Sequence, residues 1–144
     1  MTTEKKNFYK TYKEIYHNRY VYSENEKNDA QYLIKKNLKE CNVKKKDIKN
    51  LKVLNVGTGR ESFAFIDLKV KKCELVDLSK KTRINARKFK KKNQNFHFQI
   101  GDFCKKNLKI KKFNFLYLNG VFHHFHNPKN ALVNILKNSE KKSK

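Results

Sequence analysis

The sequence predicts an α/β fold, with helices packed on a doubly wound and mostly parallel sheet. From Leu51 onward, short apolar runs alternate with basic helical stretches, which is the pattern of parallel strands joined by crossover helices. The four glycines all lie at or near the ends of predicted strands, at positions 57, 59, 101 and 120. Because glycine is so scarce in this chain, its placement indicates close backbone approach or positive φ, and hence a site at that edge of the sheet.

The composition bounds the class of protein. A length of 144 residues suits one modest domain with a real core. The formal charge of +23 comes mainly from lysine, with only four arginines, and asparagine, isoleucine, phenylalanine and tyrosine are plentiful. A+T-rich codons produce such a profile, whereas selection for phosphate binding would more often recruit arginine. The charge favours a solvated exterior, and non-specific RNA binding stays open as an alternative.

Cysteine usage and hydropathy predict a cytoplasmic protein with no membrane partner. Cys41, Cys73 and Cys104 are odd in number and far apart, so they indicate neither a disulfide framework nor a zinc site. The first residues are charged without a following apolar region, and no segment approaches the ~18 apolar residues that a membrane span requires.

Residues 1–50 are predicted to form an N-terminal helical segment that acts as a lid near the mouth of the site. Two helical faces recur at steps of three and four residues, and the second helix begins after a cap at Asn28 or Asp29. The aromatic residues of the first face favour packing over a base-stacking platform. The two faces consist of Phe8, Tyr12, Ile15, Tyr16 and Tyr20, and of Ala30, Leu33, Ile34, Leu38 and Cys41.

Residues 51–144 are predicted to carry the sheet. Apolar runs indicate strands at 53–56, 74–76, 96–100 and 113–118, and helices are expected at 62–68, 80–92 and 128–137. Ser79 is the expected N-cap of the second of these helices. Asn127 followed by Pro128 predicts the start of the third, because proline is favoured at the first helical position.

Three strand ends carry residues suited to a nucleoside ligand, which in such sheets lies beyond the carboxyl ends of the strands. The turn Gly57-Thr58-Gly59 exposes backbone N–H groups. Asp77 follows Gly57 by twenty residues and could accept hydrogen bonds from a ribose diol, or simply cap the next helix. Asp102, with Phe103 beside it, could contact an adenine amino group, or be an ordinary turn aspartate.

One further segment suggests a family. The run Asn119-Gly120-Val121-Phe122-His123-His124-Phe125-His126-Asn127-Pro128 resembles the "GVLHH…P" segment of class I S-adenosylmethionine-dependent methyltransferases. With the segments 53–60, 74–79 and 101–103 it makes four motifs in the order of that family, spanning residues 51–138. The resemblance implies a Rossmann-like methyltransferase fold, here partial, with strand order 3-2-1-4.

The resemblance also implies S-adenosylmethionine as cofactor and assigns residues to it. The glycine turn would lie beside the methionine part, Asp77 and Leu78 beside the ribose and adenine, Asp102 and Phe103 beside the adenine, and strand four beside the amino-acid end. The cofactor-binding residues implied are Asn55, Val56, Gly57, Thr58, Gly59, Asp77, Leu78, Asp102, Phe103, Leu118, Asn119 and Gly120.

Methyl transfer chiefly needs alignment of the acceptor, with His123 or His124 as a base that takes its proton. We expect no metal, because the histidines of 123–126 have no carboxylate or cysteine near in sequence and lack the helical spacing of zinc motifs.

The chain departs from the family at three points. Asn55 stands where the family usually has an acid, Glu61 stands where it has a third glycine, and the match stops after the helix that follows strand four. The family's sheet has further strands, so we expect a truncated or split domain whose strand four pairs with a copy of itself or with a partner chain.

The leading function is methyl transfer to an unidentified small-molecule acceptor, with an activity that we expect the truncation to impair. The alternative is a non-catalytic module that binds RNA or a partner protein through its basic surface. A dehydrogenase ranks third, because Ser62 occupies the third glycine position of a dinucleotide motif.

Overall fold

The structure, a computed structural model, describes residues 24–57, 60–78, 82–105 and 108–141. The four strands are β1 (Lys52–Val56), β2 (Lys72–Asp77), β3 (Phe96–Ile100) and β4 (Phe115–Tyr117). The helices are α1 (Glu24–Glu40), α2 (Arg60–Asp67), α3 (Thr82–Lys92) and α4 (Pro128–Leu136), and short 3-10 helices cover Lys45–Asn50 and Phe122–His124.

The four strands form one parallel sheet in the order β3-β2-β1-β4, which confirms the predicted order. β1 is central, because Val53 lies opposite Cys73 of β2 on one side and Phe115 of β4 on the other. After β3 the chain therefore returns across β1 to build β4 on the opposite side.

Helices cover both faces of the sheet. Side chains of successive strand residues point to opposite faces, so Val53 packs with α1, α2 and α3, whereas Leu54 packs with α4. The larger core includes Ala30, Ile34, Leu38, Phe65, Leu75, Ala86, Phe96 and Phe115, and the smaller includes Val56, Val76, Phe103, Phe113, Ala131 and Ile135.

Tyr117 at the end of β4 links the sheet to two helices. Its ring packs edge to face against Phe65 of α2, with ring centroids 5.3 Å apart. Its hydroxyl oxygen accepts a hydrogen bond of 3.0 Å from Nδ2 of Asn37 in α1. Burial, followed by the negative charge of Glu61, raises the pKa of Tyr117 to about 12. The phenol is therefore neutral at physiological pH and joins α1 to the larger core.

Two expectations for α1 are wrong. Glu24 already lies in the helix, so Asn28 and Asp29 lie inside it rather than at its cap. Cys41 is exposed in the turn that follows the helix and does not continue the buried face of Ala30, Ile34 and Leu38. The first predicted helical face, Phe8 to Tyr20, and the expected cap Ser79 lie outside the described residues.

The cap of α4 is confirmed. Oδ1 of Asn127 accepts a hydrogen bond of 3.0 Å from the backbone N–H of Asn130, and Pro128 begins the helix. This bond satisfies one of the N–H groups that a helix start leaves without an intrahelical partner.

β4 is shorter than predicted, because it begins at Phe115. Phe113 instead pairs with Ser139, in the segment after α4. The N–H of Phe113 donates to the carbonyl of Asn138 at 3.2 Å, and the N–H of Glu140 donates to the carbonyl of Phe113 at 2.8 Å. The segment after α4 thus runs parallel to the chain that enters β4.

Among the described helices, none is long and apolar enough to cross a membrane.

Candidate functional site

A cleft lies where the carboxyl ends of the strands meet the loops that follow them. It encloses about 340 Å³, including the part that opens to solvent. Its residues come from the ends of β1 and β2, from the loop after β3 and from the loop after β4. They are Val56, Gly57, Val76, Asp77, Leu78, Gly101, Asp102, Phe103, Val121, His124 and Phe125.

Gly57 brings the loop after β4 into contact with the turn after β1. Its φ of +131° lies in a region that residues with a Cβ rarely adopt, and a Cβ built there would lie 2.7 Å from Cγ2 of Val121. Its N–H donates to the carbonyl of Val76 at 3.0 Å. The turn therefore requires glycine both for its conformation and for the close packing of Val121. Thr58 and Gly59 lie outside the described residues.

The two predicted carboxylates both line the cleft and are both buried. Asp77 is 3% exposed at the end of β2, and its carbonyl accepts the N–H of Gly101 at 3.0 Å. Asp102 is 9% exposed, and its Oδ1 accepts the N–H of Cys104 at 2.9 Å. Asp102 thus makes the turn bond expected of a structural aspartate and also faces the cleft. The two sequence-based interpretations of Asp102, as a turn aspartate and as a ligand contact, are therefore compatible.

The two candidate bases differ in their position relative to the cleft. His124 lines it, whereas His123 does not, although their ring centroids are only 3.9 Å apart. Partial burial, and then the neighbouring His123, lower the pKa of His124 below the ordinary value of 6.5. The imidazole of His124 is therefore neutral at neutral pH and has a ring nitrogen able to accept a proton.

Several predicted site residues lie away from the cleft lining. Asn55 is 1% exposed, and its Nδ2 donates to Oγ of Ser62 at 2.8 Å, which ties β1 to α2. Glu61 is also buried in α2, with its Oε1 3.3 Å from Nη2 of Arg60. Leu118, Asn119 and Gly120 follow β4 without lining the cleft.

Sequence reasoning missed three lining residues, Val76, Val121 and Phe125, whereas Gly101 was among the glycines that indicated a site at this edge. Val76 could have been found from strand alternation, because it precedes Asp77 and faces the smaller core. Val121 and Phe125 are apolar and flank the candidate histidines. From sequence they contributed only to the resemblance of segment 119–128 to the methyltransferase family. Phe125 packs edge to face with Phe103 at 6.4 Å and closes that wall.

The lining fits an adenosyl group with a cationic end. Its walls are apolar, from Val56, Val76, Phe103, Val121 and Phe125, and its buried acidic groups are Asp77 and Asp102. Among the described residues, no lysine or arginine lines the cleft. Apolar walls with a few convergent polar groups suit a nucleoside, and carboxylates favour positive over negative charge nearby.

Residues 54–139 match the family model described as "Methyltransferase domain". No match was found among curated proteins. Among solved structures, the MccD protein is 20% identical, with a TM-score of 0.63 over 78% of this chain and 50% of its own.

An S-adenosylmethionine-dependent methyltransferase from Clostridium acetobutylicum ATCC 824 is 16% identical, with a TM-score of 0.58 over 98% of this chain and 55% of its own. The trans-methyltransferase CalH, solved in complex with SAH, is 14% identical, with a TM-score of 0.57 over 69% of this chain and 32% of its own. At these identities the likeness shows a shared fold. The chain spans about half or less of the length of these neighbours.

The geometry at Gly57 predicts the effect of adding a single methyl group. Gly57→Ala should lower the free energy of unfolding by about 1–3 kcal/mol, because alanine is strained at this φ and its Cβ meets Val121. Adding Val121→Ala relieves the contact but not the backbone strain. Urea unfolding of the two single variants and the double variant should therefore give a favourable coupling of at least about 0.5 kcal/mol.

Gly57→Ala combined with Val133→Ala is the matched control, because Val133 is half exposed on α4 and lies outside the cleft. That pair should be additive. Equal coupling in both pairs, or an unchanged stability of Gly57→Ala, would show that Val121 does not pack on the glycine turn.

Proposed function

Because residues 54–139 match its model, the chain belongs to the methyltransferase-domain family, and we propose that it binds S-adenosylmethionine in the cleft and transfers its methyl group to a small-molecule acceptor. The observation that carries the proposal is the convergence of Asp77, Asp102 and the glycine turn on one apolar cleft. A structural neighbour solved with SAH supports the cofactor class.

The charges of the cleft favour this cofactor over a dinucleotide. A nicotinamide dinucleotide would bring two phosphates to a lining that has two carboxylates and, in the part of the chain described, no basic side chain. S-adenosylmethionine instead carries a sulfonium, an ammonium and one carboxylate, so its net charge is positive and two carboxylates in the lining attract it.

Four of the lining residues would have distinct roles in holding the cofactor. The carboxylate of Asp77 would accept hydrogen bonds from the ribose hydroxyls, and a charge-assisted bond of this kind is stronger than a neutral one. Asp102 and Phe103 would contact the adenine amino group and ring. Gly57 keeps the turn after β1 packed against the loop after β4, because Val121 occupies the space that a side chain at this position would need.

When bound, the cofactor supplies a methyl group on a good sulfur leaving group, so the protein has mainly to align the acceptor and manage one proton. His124 is the residue we assign to the proton. It lines the cleft, and its lowered pKa keeps a ring nitrogen able to accept at neutral pH.

The competing function is a non-catalytic module that binds RNA through its lysines. Counterion release would make such binding fall steeply with salt, and the buried carboxylates would play no part in it. Binding of S-adenosylhomocysteine (SAH) that persists at high salt, while RNA binding disappears, would support the enzyme. RNA binding without any binding of SAH would support the module instead.

Calorimetry with S-adenosylhomocysteine tests the cofactor assignment. We expect one binding site, and we expect Asp77→Asn to weaken binding by about 1.5–3 kcal/mol through lost charge-assisted hydrogen bonds. The matched control is Asp67→Asn, because Asp67 is a carboxylate at the end of α2 that accepts from Gln31 outside the cleft. Equal weakening by the two variants, or a preference for a nicotinamide dinucleotide, would contradict the assignment.

The protonation of His124 gives a second prediction. Its imidazole should titrate below 6.5, with His124→Gln removing that resonance from the proton NMR spectrum. The neutral form is favoured in the folded protein. It therefore contributes stability above the unfolded pKa, and this stability is lost as the pH falls through the folded pKa.

Methyl transfer should decline over the same range, since the imidazolium cannot accept a proton. S-adenosylmethionine should lower the titration midpoint further than S-adenosylhomocysteine, because only the former carries the sulfonium charge. Identical midpoints in the two complexes would contradict a place for His124 beside the transferred methyl group.

A further inference from the structure

Three different metal-ligating side chains converge at the rim of the cleft. A carboxylate oxygen of Asp102, Sγ of Cys104 and a ring nitrogen of His126 all lie within 4.8 Å of one another. Asp102 and Cys104 belong to the loop after β3, and His126 belongs to the loop that leads into α4. We propose that Asp102, Cys104 and His126 form a binding site for a single Zn²⁺ ion.

The two loops are fastened to each other without any ion. The N–H of Cys104 donates to Oδ1 of Asp102 at 2.9 Å. The thiol of Cys104 donates to the carbonyl oxygen of Asn127, the residue after His126, at 3.6 Å, and this one bond is given up when zinc takes the thiolate. From α4, Nδ2 of Asn134 donates to the carbonyl of Phe103 at 2.9 Å. The backbone positions of the three ligands are therefore set by the fold, which reduces the ordering that metal binding requires.

The donor set selects the metal. Carboxylate oxygen, thiolate sulfur and imidazole nitrogen are the ligands of Zn²⁺, whereas Mg²⁺ and Ca²⁺ prefer oxygen alone. Tetrahedral bonds of 2.0–2.3 Å place donor atoms roughly 3.3–3.6 Å apart. Since His126 is exposed, rotation of its side chain can close the remaining distance. Three protein ligands leave a fourth position for water.

Binding would neutralise the ion and release a proton. The thiol of Cys104 loses its proton to solvent as the sulfur–zinc bond forms, and His126 binds as neutral imidazole. The thiolate and the carboxylate of Asp102 together cancel the 2+ charge. This matters in a chain with a formal charge of +23, which would otherwise repel a divalent cation. Affinity should therefore rise with pH.

Asp102 links this site to the cleft, and this part of the inference rests on the proposed function. The same carboxylate lines the cleft that we assign to S-adenosylmethionine. An ion bound to Asp102 would compete for the carboxylate expected to contact the adenine amino group, so metal and cofactor should weaken each other's binding. The coupling must be reciprocal, and a change of about 5- to 150-fold is the usual range.

Cobalt provides a direct optical test with the tag-free full chain. Titration with Co²⁺ without air should produce a thiolate-to-metal charge-transfer band that saturates at one equivalent and disappears when Zn²⁺ is added. Cys104→Ser should abolish the band. His126→Gln should weaken binding by more than the roughly 10- to 100-fold that loss of an outer-shell partner costs.

Two matched variants control for the other thiols and imidazoles. Cys41→Ser removes an exposed cysteine, and His97→Gln removes a histidine on β3, both outside the cluster. Both should leave the band and the affinity unchanged. Asp102→Asn keeps the thiolate, so its band should remain while the affinity falls. Circular dichroism establishes that each variant is folded.

The proposal is overturned if folded wild-type protein gives no charge-transfer band, or if the band survives Cys104→Ser or is lost in Cys41→Ser. Calorimetry with S-adenosylhomocysteine in the presence of a chelator separates this result from the cofactor assignment. Binding there without a cobalt band would overturn the zinc site alone. A cobalt band without S-adenosylhomocysteine binding would support the zinc site and contradict the proposed function.

Discussion

The position of β1 between β2 and β4 is the constraint on which the site depends. The chain builds β2 and β3 on one side of β1 and then crosses back to build β4 on the other. Loops that leave a parallel sheet in opposite directions diverge and open a crevice at its carboxyl edge. Residues as distant in sequence as Gly57, Asp102 and His124 thereby line one cleft.

Packing across that crevice fixes its shape. Val121 sits where a side chain on residue 57 would lie, and Phe103 and Phe125 close the adjoining wall. Leu108 similarly fills the space beside Gly101, so the loop after β3 is also held close to the sheet. In a chain with 36 basic and 13 acidic residues, the described part of the cleft lining has two buried carboxylates and no lysine or arginine. That contrast favours a ligand with a neutral base and a positive end.

The sequence predicted the sheet well because its signals are local. Alternating apolar strands, basic helices and the Asn127-Pro128 cap each depend on a few neighbouring residues. The start of α1 was missed because residues 24–29 are polar and carry no apolar periodicity. β4 was predicted to begin at Phe113 because Phe113 is apolar like Phe115, yet Phe113 pairs with the segment after α4.

The cleft was only partly predictable. Asp77 and Asp102 follow strands and carry obvious chemistry, whereas Val121 matters through its contact with Gly57, which only the folded chain reveals. Likewise, Cys104 and His126 lie 22 residues apart in sequence and form no spacing motif. No carboxylate or cysteine is near the histidines of 123–126 in sequence. In the folded chain, Asp102 and Cys104 lie beside His126.

Selective labelling of glycine with ¹⁵N tests the central claim most directly, because the chain has only four glycines. Gly57 and Gly101 line the cleft, whereas Gly120 does not and has open space around its Cα. Single substitutions assign the glycine signals. Titration with S-adenosylhomocysteine should then shift the amide signals of Gly57 and Gly101 together, with a smaller change at Gly120. Saturating ligand that leaves Gly57 and Gly101 unmoved would contradict a cofactor site at this edge of the sheet.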